Sequence, residues 1–286
     1  MLLAALCHAS WNLVAKRSGG SGNAFVLMGS LAVALLWGPV VAWVGVQAVA
    51  GWGWREWCVL AASAAIHVLY FRTLLHGYAV SDLTVVYPVA RGSGPLLSSV
   101  GAVLLLGETW TAAGACGALA VVLGVFLIAG GPGLWRRAHD PAQRLRGRRG
   151  LAWGALTGGF IASYTVIDGY AVKVLAISPL LVDYVGNVLR IPVMLPSALA
   201  KPAAFGRELR RLWRPAVVIA VLGPLSYIMV LYAMRLAPLS HVAPAREVSM
   251  LFAALAGGTL LGEGDRRVRL LGAVAIAGGV ALLALG

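Results

Sequence analysis

Long apolar segments recur along the whole chain, separated by short polar or basic stretches. A membrane-spanning helix needs about 20 mostly apolar residues, because each residue of an α-helix advances about 1.5 Å. Ten segments follow this pattern, and they cover residues 1–17, 24–48, 57–77, 82–106, 110–131, 150–172, 178–199, 214–235, 238–262 and 266–285. The pattern therefore predicts an all-α integral membrane protein with ten transmembrane helices.

The composition agrees with this interpretation. Of the 286 residues, 60% are hydrophobic and only 12% are charged, and the mean hydropathy is +0.86. A soluble domain of this length cannot bury so much apolar surface, which excludes a water-soluble enzyme, a disordered chain and a nucleic-acid-binding protein. The net charge of +13 is typical of membrane proteins with basic cytoplasmic loops.

Short motifs recur along the chain at one constant spacing. Leu105-Leu106-Gly107-Glu108 recurs as Leu260-Leu261-Gly262-Glu263, and Ala90-Arg91 recurs as Ala245-Arg246. These repeats predict two five-helix halves, residues 1–131 and 150–286, joined by a basic linker at 132–149. Because five is odd, the second half must enter the membrane from the opposite side, so the repeats are inverted. Two such halves can rock about a central cavity and expose it to each face in turn.

These residues resemble the drug/metabolite transporter superfamily, in its EamA-type branch of ten-helix carriers, over essentially the whole chain. The resemblance is carried by residues 8–12 in the first span, 86–95 in the fourth and 242–249 in the ninth, and by the Leu-Gly-Glu that closes both halves. It implies a secondary transporter of small metabolites, usually an exporter, with a substrate cavity near the middle of the membrane. It does not identify the substrate, since members differ widely.

The basic residues predict an orientation. Most of the 23 Lys and Arg residues fall in connections that the ten spans place on one side of the membrane. By the positive-inside rule, that side, which includes the linker 132–149, faces the cytoplasm. The resemblance implies the reverse, with both termini in the cytoplasm. The charge bias is the stronger argument, so we predict a multi-pass protein of the inner or plasma membrane with a cytoplasmic linker.

Polar side chains inside the predicted spans are candidates for function, because charges are costly at that depth. Glu247 can pair with Arg91 of the other half, and for both Arg91 and Arg246 a structural ion pair and substrate contact stay open. Glu108 and Glu263 lie at helix ends and are predicted to be caps or interface anchors. The predicted substrate-binding residues are Arg91, Arg246, Tyr87, Trp11, Asn12, Tyr164, Asn187, Tyr227 and His241, and the predicted coupling or ion-pair residues are Asp168, Asp183, Arg190 and Glu247.

The charges within the spans predict the kind of cargo. Arginines outnumber clear acids there, so the cavity should be neutral to slightly positive. That balance favours zwitterionic or anionic metabolites such as amino acids over lipophilic cations. Coupling to protons would need a titrating acid or histidine in a span, and facilitated exchange or uniport stays open.

Two other functions were weighed against transport of a metabolite. A flippase for a lipid-linked sugar or a lipid would share the fold but need a lateral opening for the lipid chains. An integral-membrane enzyme is disfavoured, because the five histidines are scattered and no Gly-x-Ser-x-Gly elbow or phosphate-binding glycine loop is present. We therefore expect no catalytic residues, no metal and no cofactor. The expected partners are a small-molecule substrate, the lipid bilayer and, with coupling, protons, in a monomer or homodimer.

Overall fold

The computed structural model describes residues 1–19, 22–81, 83–128, 141–256 and 266–285. All regular elements within these ranges are helices, as the sequence predicts. The helices are α1 (Leu2–Ser18), α2 (Gly22–Val44), α3 (Val46–Ala50), α4 (Trp54–Val80), α5 (Leu83–Leu106), α6 (Ala112–Ile128), α7 (Pro141–Lys173), α8 (Pro179–Leu199), α9 (Pro202–Leu236), α10 (Leu239–Ala245), a 3₁₀ turn (Arg246–Val248), α11 (Ser249–Ala256) and α12 (Arg266–Leu285).

Several of these helices are long and apolar enough to cross a membrane. In the described part of the chain they are five, namely Gly22–Val44, Trp54–Val80, Val85–Leu106, Arg144–Lys173 and Pro202–Leu236. Shorter apolar helices cover Leu2–Ala15, Ala112–Ile128 and Leu270–Leu285. An α-helix satisfies its own backbone hydrogen bonds, which is what the lipid interior demands. The molecule is thus a helical multi-pass membrane protein, and the count of ten spans stays a prediction.

Several predicted spans differ from the helices observed, and the span predicted at 24–48 is divided between α2 and α3. Helix α7 begins at Pro141, so residues 141–149 of the predicted linker are helical, while 132–140 lie outside the described residues. Helix α9 begins at Pro202, well before the predicted residue 214. The ninth span is not one helix, because α10 ends at Ala245 and a 3₁₀ turn follows before α11. Its last residues, 257–262, lie outside the described ranges.

The helices form two compact units. Unit 1 contains residues 66–166 and 236–286 together with Met1, and unit 2 contains residues 2–65 and 167–235. Each unit therefore takes helices from both predicted halves of the chain. The division concerns packing and does not test the predicted repeat.

Unit 1 contains a close helix contact built on glycine. A Cβ added to Gly117 of α6 would lie 2.7 Å from the carbonyl oxygen of Gly279 of α12, and one added to Gly279 would lie equally close to the Gly117 carbonyl. A Cβ on Gly124 would lie 2.6 Å from the carbonyl of Gly272. Only glycine permits this approach, which is how small residues bring membrane helices together.

The same four glycines bear on the repeat. Gly117 and Gly272 occupy equivalent positions in the two halves, as do Gly124 and Gly279. The contacts join Gly117 to Gly279 and Gly124 to Gly272, so α6 and α12 run antiparallel here. This reciprocal pattern is what a local two-fold axis between inverted halves would produce, and it supports the predicted repeat without establishing it for the whole chain.

Unit 2 packs α8 and α9 against α2. A Cβ on Gly38 of α2 would lie 3.3 Å from the hydroxyl of Tyr184 on α8. The indole of Trp37 donates a hydrogen bond of 2.9 Å to the Ala220 carbonyl on α9. Met28, Leu212 and Ala216 form a buried cluster between α2 and α9. These contacts hold together helices that are far apart in the sequence.

Candidate functional site

The densest group of buried charges in unit 1 joins α5 to the 3₁₀ turn. Nη2 of Arg91 lies 2.9 Å from Oε2 of Glu247, and Nε of Arg246 lies 3.9 Å from Oε1 of the same carboxylate. The pairing expected between Arg91 and Glu247 is therefore present. We call Arg91, Arg246 and Glu247 the arginine cluster.

The break at the 3₁₀ turn has a local cause. Pro244 has no backbone N–H and cannot donate to the carbonyl of Ser240 four residues earlier. That carbonyl instead accepts a hydrogen bond of 2.9 Å from the hydroxyl of Ser99 on α5. Freed carbonyls within a membrane must find another donor, and here α5 supplies it. The chain then tightens into the 3₁₀ turn that carries Arg246 and Glu247.

Three further side chains surround Arg91. Its Nη2 donates to the hydroxyl of Ser249 at 3.2 Å, and its guanidinium carbon lies 6.0 Å from the centre of the Tyr87 ring. The Tyr87 hydroxyl in turn donates to the sulfur of Met250 at 3.6 Å. Cations are attracted to aromatic faces at this distance. Sequence reasoning singled out Tyr87 but missed Ser249 and Met250.

The arginine cluster is almost closed to solvent, and its charges do not balance. The exposed fractions of the side chains are 12% for Arg91, 6% for Arg246 and 1% for Glu247. Two guanidiniums share one carboxylate, so one positive charge is left over. The Nε atoms of both arginines are buried and lack a hydrogen-bond partner among the residues that the structure describes. Buried donors without partners are costly, which makes the cluster a natural site for an anionic group.

An aromatic group lies in the same unit. The rings of Tyr164 on α7 and His67 on α4 stack with centroids 3.9 Å apart, and the Tyr70 ring lies 5.8 Å from that of Tyr164. Tyr70 and Tyr164 are close enough to Arg91 to interact with it electrostatically. The arginine cluster therefore has tyrosines as neighbours, of which sequence reasoning named Tyr87 and Tyr164 as binding residues.

Glu108 caps a helix, which is one of the two roles predicted for it, and the structure shows that this helix is α10. Its carboxylate accepts the backbone N–H groups of Leu239 and Ser240 at 2.7 and 2.9 Å, at the start of α10. Unpaired N–H groups at a helix start favour such a negative partner. The equivalent Glu263 lies outside the described residues. His241 also belongs to this region, and its Nε2 packs against Gly114 of α6.

Unit 2 contains a different polar cluster, centred on Asp168 of α7. Its carboxylate accepts hydrogen bonds of 2.5 Å from the hydroxyls of Ser63 on α4 and Tyr227 on α9. Asp168 is almost fully buried, with 1% of its surface exposed. Hydrogen bonds from hydroxyls to a carboxylate are short and strong. Asp168 and Tyr227 were predicted site residues, whereas Ser63 was missed.

Helix α8 places three polar side chains in a chain of contacts. Nδ2 of Asn187 lies 3.3 Å from Oδ2 of Asp183, and Nη1 of Arg190 lies 3.5 Å from Oδ1 of Asn187. Asp183 and Asp168 are close enough to interact electrostatically. The stripe predicted from the spacing is therefore present, and it belongs to the same unit as Asp168.

Trp11 and Asn12, both predicted to bind substrate, contact their own helix. The Asn12 amide donates to the His8 carbonyl at 2.7 Å, and the Trp11 ring meets the His8 ring edge-on at 5.1 Å. These contacts do not test a role in binding.

Comparisons with known proteins agree with this architecture. Residues 148–285 match the EamA-like transporter family. The match lies in the C-terminal half of the chain, and the family belongs to the drug/metabolite transporter superfamily. One solved crystal structure is similar over 99% of this chain and 94% of its own, with a TM-score of 0.74 and 15% identity, which establishes likeness of fold. A comparison with curated proteins finds no match.

The matched family is one of membrane transporters of the drug/metabolite type, which take small-molecule substrates in a lipid environment. The chain is therefore similar to such transporters in its C-terminal half, and it has the helical architecture of a multi-pass membrane protein.

Proposed function

We propose that this protein is a secondary active transporter that exports small zwitterionic or anionic metabolites, such as amino acids, by alternating access. The observation that carries the substrate class is the arginine cluster. Two buried guanidiniums face one carboxylate, and an anionic group of the cargo would balance the charge that is left. A guanidinium binds a carboxylate through two parallel hydrogen bonds, which suits recognition in a dry site.

Tyrosines beside the cluster extend the proposal to the rest of the cargo. Tyr87 presents its ring to Arg91, and Tyr70 and Tyr164 are near enough to Arg91 to interact with it electrostatically. Ligand sites commonly combine such apolar walls with a few charged groups that fix orientation. We propose that Arg91, Arg246, Tyr87 and Tyr164 contact the cargo, and Trp11, Asn12, Asn187, Tyr227 and His241 stay predicted contacts.

Transport by purified protein in liposomes tests this function. A panel of amino acids, organic acids and organic cations would be followed with wild type, Arg246→Ala and a control, Arg72→Ala, which changes an exposed arginine of α4. We expect movement of one or more anionic or zwitterionic compounds, its loss in Arg246→Ala and its retention in the control. Selective movement of cations, or full transport by Arg246→Ala, would overturn the substrate class.

We further propose that Asp168 or Asp183 couples transport to protons. Both are buried carboxylates within helices, where ionisable groups often serve as proton carriers. The hydroxyls of Ser63 and Tyr227 offer Asp168 partners that can both accept and donate a proton. A coupling acid must be able to exist in two protonation states, and such partners tolerate either.

An apolar groove in unit 2 favours a second candidate function, a flippase for a lipid or lipid-linked sugar. The groove has a volume of about 530 Å³, and it is lined by Gly38, Val41, Ala42, Val46, Val49, Trp57, Tyr184, Val185, Val188 and Leu189. Such a lining suits a hydrocarbon chain. Movement of a fluorescent phospholipid between leaflets of the same liposomes would support the flippase, and its absence alongside metabolite transport would rule it out.

The orientation is also a proposal. The basic linker 132–149 should lie in the cytoplasm. A cysteine introduced at Gln143 should resist an impermeant thiol reagent in intact cells and react after lysis. Ready labelling in intact cells would favour the opposite orientation, which the family resemblance implies.

A further inference from the structure

Glu247 is the charge in unit 1 that both arginines share. Its two oxygens face different guanidiniums, Oε2 toward Arg91 at 2.9 Å and Oε1 toward Arg246 at 3.9 Å. The closer contact pairs Arg91 with Glu247, and Arg91 also donates a hydrogen bond to the hydroxyl of Ser249. Among the described residues Arg246 has only the longer contact with Glu247, and no hydrogen bond like that from Arg91 to Ser249. Arg246 is therefore the guanidinium that remains available to a ligand.

The number of charges in the cluster limits the charge of what it can accept. With Glu247 present, the cluster carries a single excess positive charge. One singly charged anionic group, such as a carboxylate, would bring the total charge of the two arginines, Glu247 and the ligand group to zero. A doubly charged group, such as a phosphate monoester or a phosphonate, would leave one negative charge uncompensated where solvent screening is weak. Like charges brought together in such a site oppose binding strongly.

We propose that Glu247 determines the charge selectivity of the transporter, admitting a single carboxylate at Arg246 and excluding doubly charged anionic groups. The inference rests on the proposed anion-binding role of the arginine cluster and makes it more specific. Without Glu247 the two arginines would carry two positive charges and suit a dianion. The residue acts by setting the charge of the site, and it does not itself need to contact the cargo.

Amino acids and their aminophosphonate analogues provide matched probes. Alanine and 1-aminoethylphosphonate share a side chain and an amino group, but differ in whether the acid carries one or two negative charges at mildly alkaline pH. Pairs of this kind with larger apolar side chains extend the panel. Binding would be measured as thermal stabilisation in detergent and as inhibition of transport, and the result is the ratio of carboxylate to phosphonate affinity.

Wild type should prefer the carboxylate of each pair. Glu247→Gln keeps the side-chain shape but removes the charge, and we expect it to move the affinity ratio toward the phosphonate by roughly tenfold or more. Glu208→Gln is the matched control, because Glu208 is a partly exposed acid on α9 paired only loosely with Arg211. The control should leave the ratio unchanged.

A charge-restoring variant keeps the test decisive if Glu247→Gln fails to fold. Arg246→Gln alone leaves a neutral cluster and should weaken carboxylate binding. Arg246→Gln combined with Glu247→Gln returns the cluster to one positive charge, on Arg91, and should regain the preference for carboxylate. A simple structural role for either residue predicts no such recovery.

The outcomes separate this inference from the proposed function. A reversed ratio in Glu247→Gln, or recovery in the double variant, supports charge selection by Glu247. If wild type binds carboxylates through the arginines but the ratio is the same in Glu247→Gln and the double variant shows no recovery, Glu247 is a structural partner and the inference is wrong. If wild type binds neither member of any pair, the anion site itself is wrong, and the inference with it.

Discussion

The polar clusters of the two units differ in how a buried charge is held. In unit 1, Glu247 is held by charged partners, the guanidiniums of Arg91 and Arg246. In unit 2, Asp168 accepts hydrogen bonds from the neutral hydroxyls of Ser63 and Tyr227. An ion pair needs both charges to remain, whereas a hydroxyl can serve a carboxylate or a carboxylic acid.

This difference suits the clusters to different tasks. A site with excess fixed positive charge attracts an anion and holds it, because a guanidinium does not lose its proton in a protein. A carboxylate that accepts hydrogen bonds from hydroxyls can keep these partners whether it is ionised or protonated. The arginine cluster is thus the better candidate for cargo, and Asp168 for coupling.

The largest expected effect is on stability. Glu247→Ala removes the shared carboxylate and leaves two buried guanidiniums without their counter-charge, which should cost about 3–5 kcal/mol of unfolding free energy. Asp168→Ala removes the acceptor of the Ser63 and Tyr227 hydroxyls, and the loss of these neutral hydrogen bonds should cost about 1–3 kcal/mol. Melting in detergent measures both. Equal losses would erase the contrast between the clusters.

A smaller effect concerns binding by the two arginines. Lysine keeps the positive charge but cannot form two parallel hydrogen bonds with a carboxylate, so a contact with cargo should weaken by about 1–3 kcal/mol in Arg246→Lys. Arg→Ala at the same position should be worse. Substrate affinity and melting temperature would be measured on the same variants. Variants that melt early yet bind cargo normally while folded would show that the arginines are purely structural.

Substitution at the glycine contact between α6 and α12 in unit 1 should reduce stability by a similar amount. Gly124→Ala places a methyl group against the Gly272 carbonyl, where a Cβ would lie 2.6 Å from the oxygen. Overpacking of this kind typically costs about 1–3 kcal/mol. Gly159→Ala on α7 is the control, since a Cβ there meets nothing within 4 Å. A melting temperature that falls equally in both variants would argue against the close α6–α12 contact.

The smallest expected effect on substrate binding comes from replacing the acids proposed to couple transport to protons. Asp168→Asn and Asp183→Asn would each be assayed under a pH gradient and in gradient-free exchange. A coupling role predicts that at least one variant loses the response to the gradient while retaining exchange. Full gradient-driven transport by both variants would leave these acids with a structural role and remove the functional contrast.

Part of the candidate site could be predicted from the sequence, because some of its residues stand out against their immediate neighbours in the chain. Arg91, Asp168 and Glu247 stand out as charges within apolar segments, and the 4-residue step from Tyr87 to Arg91 places them on one helical face. Ser63 carried no such signal, since a serine in an apolar helix is ordinary. Its contact with Asp168 joins residues 105 positions apart, and only packing reveals it.

Arg91 and Arg246 also differ in a way that the sequence does not predict. By sequence, Arg91 and Arg246 occupy matching positions after a proline. In the structure α5 continues as a helix through Arg91, with Pro88 and Pro95 inside it, while the chain at Arg246 forms a 3₁₀ turn. The two side chains consequently meet Glu247 at different distances. No repeat in the sequence predicts that asymmetry.

The sequence by itself determined that this is a helical membrane protein and indicated its resemblance to a transporter family. Both follow from hydropathy and short motifs, which are properties of neighbouring residues and do not depend on how the helices pack. Tertiary structure alone decided that Glu247 serves two arginines, that Asp168 is held by hydroxyls and that Glu108 caps α10. These depend on side chains brought together from distant segments, and the cost of leaving a buried charge or donor unpaired selects which of them meet.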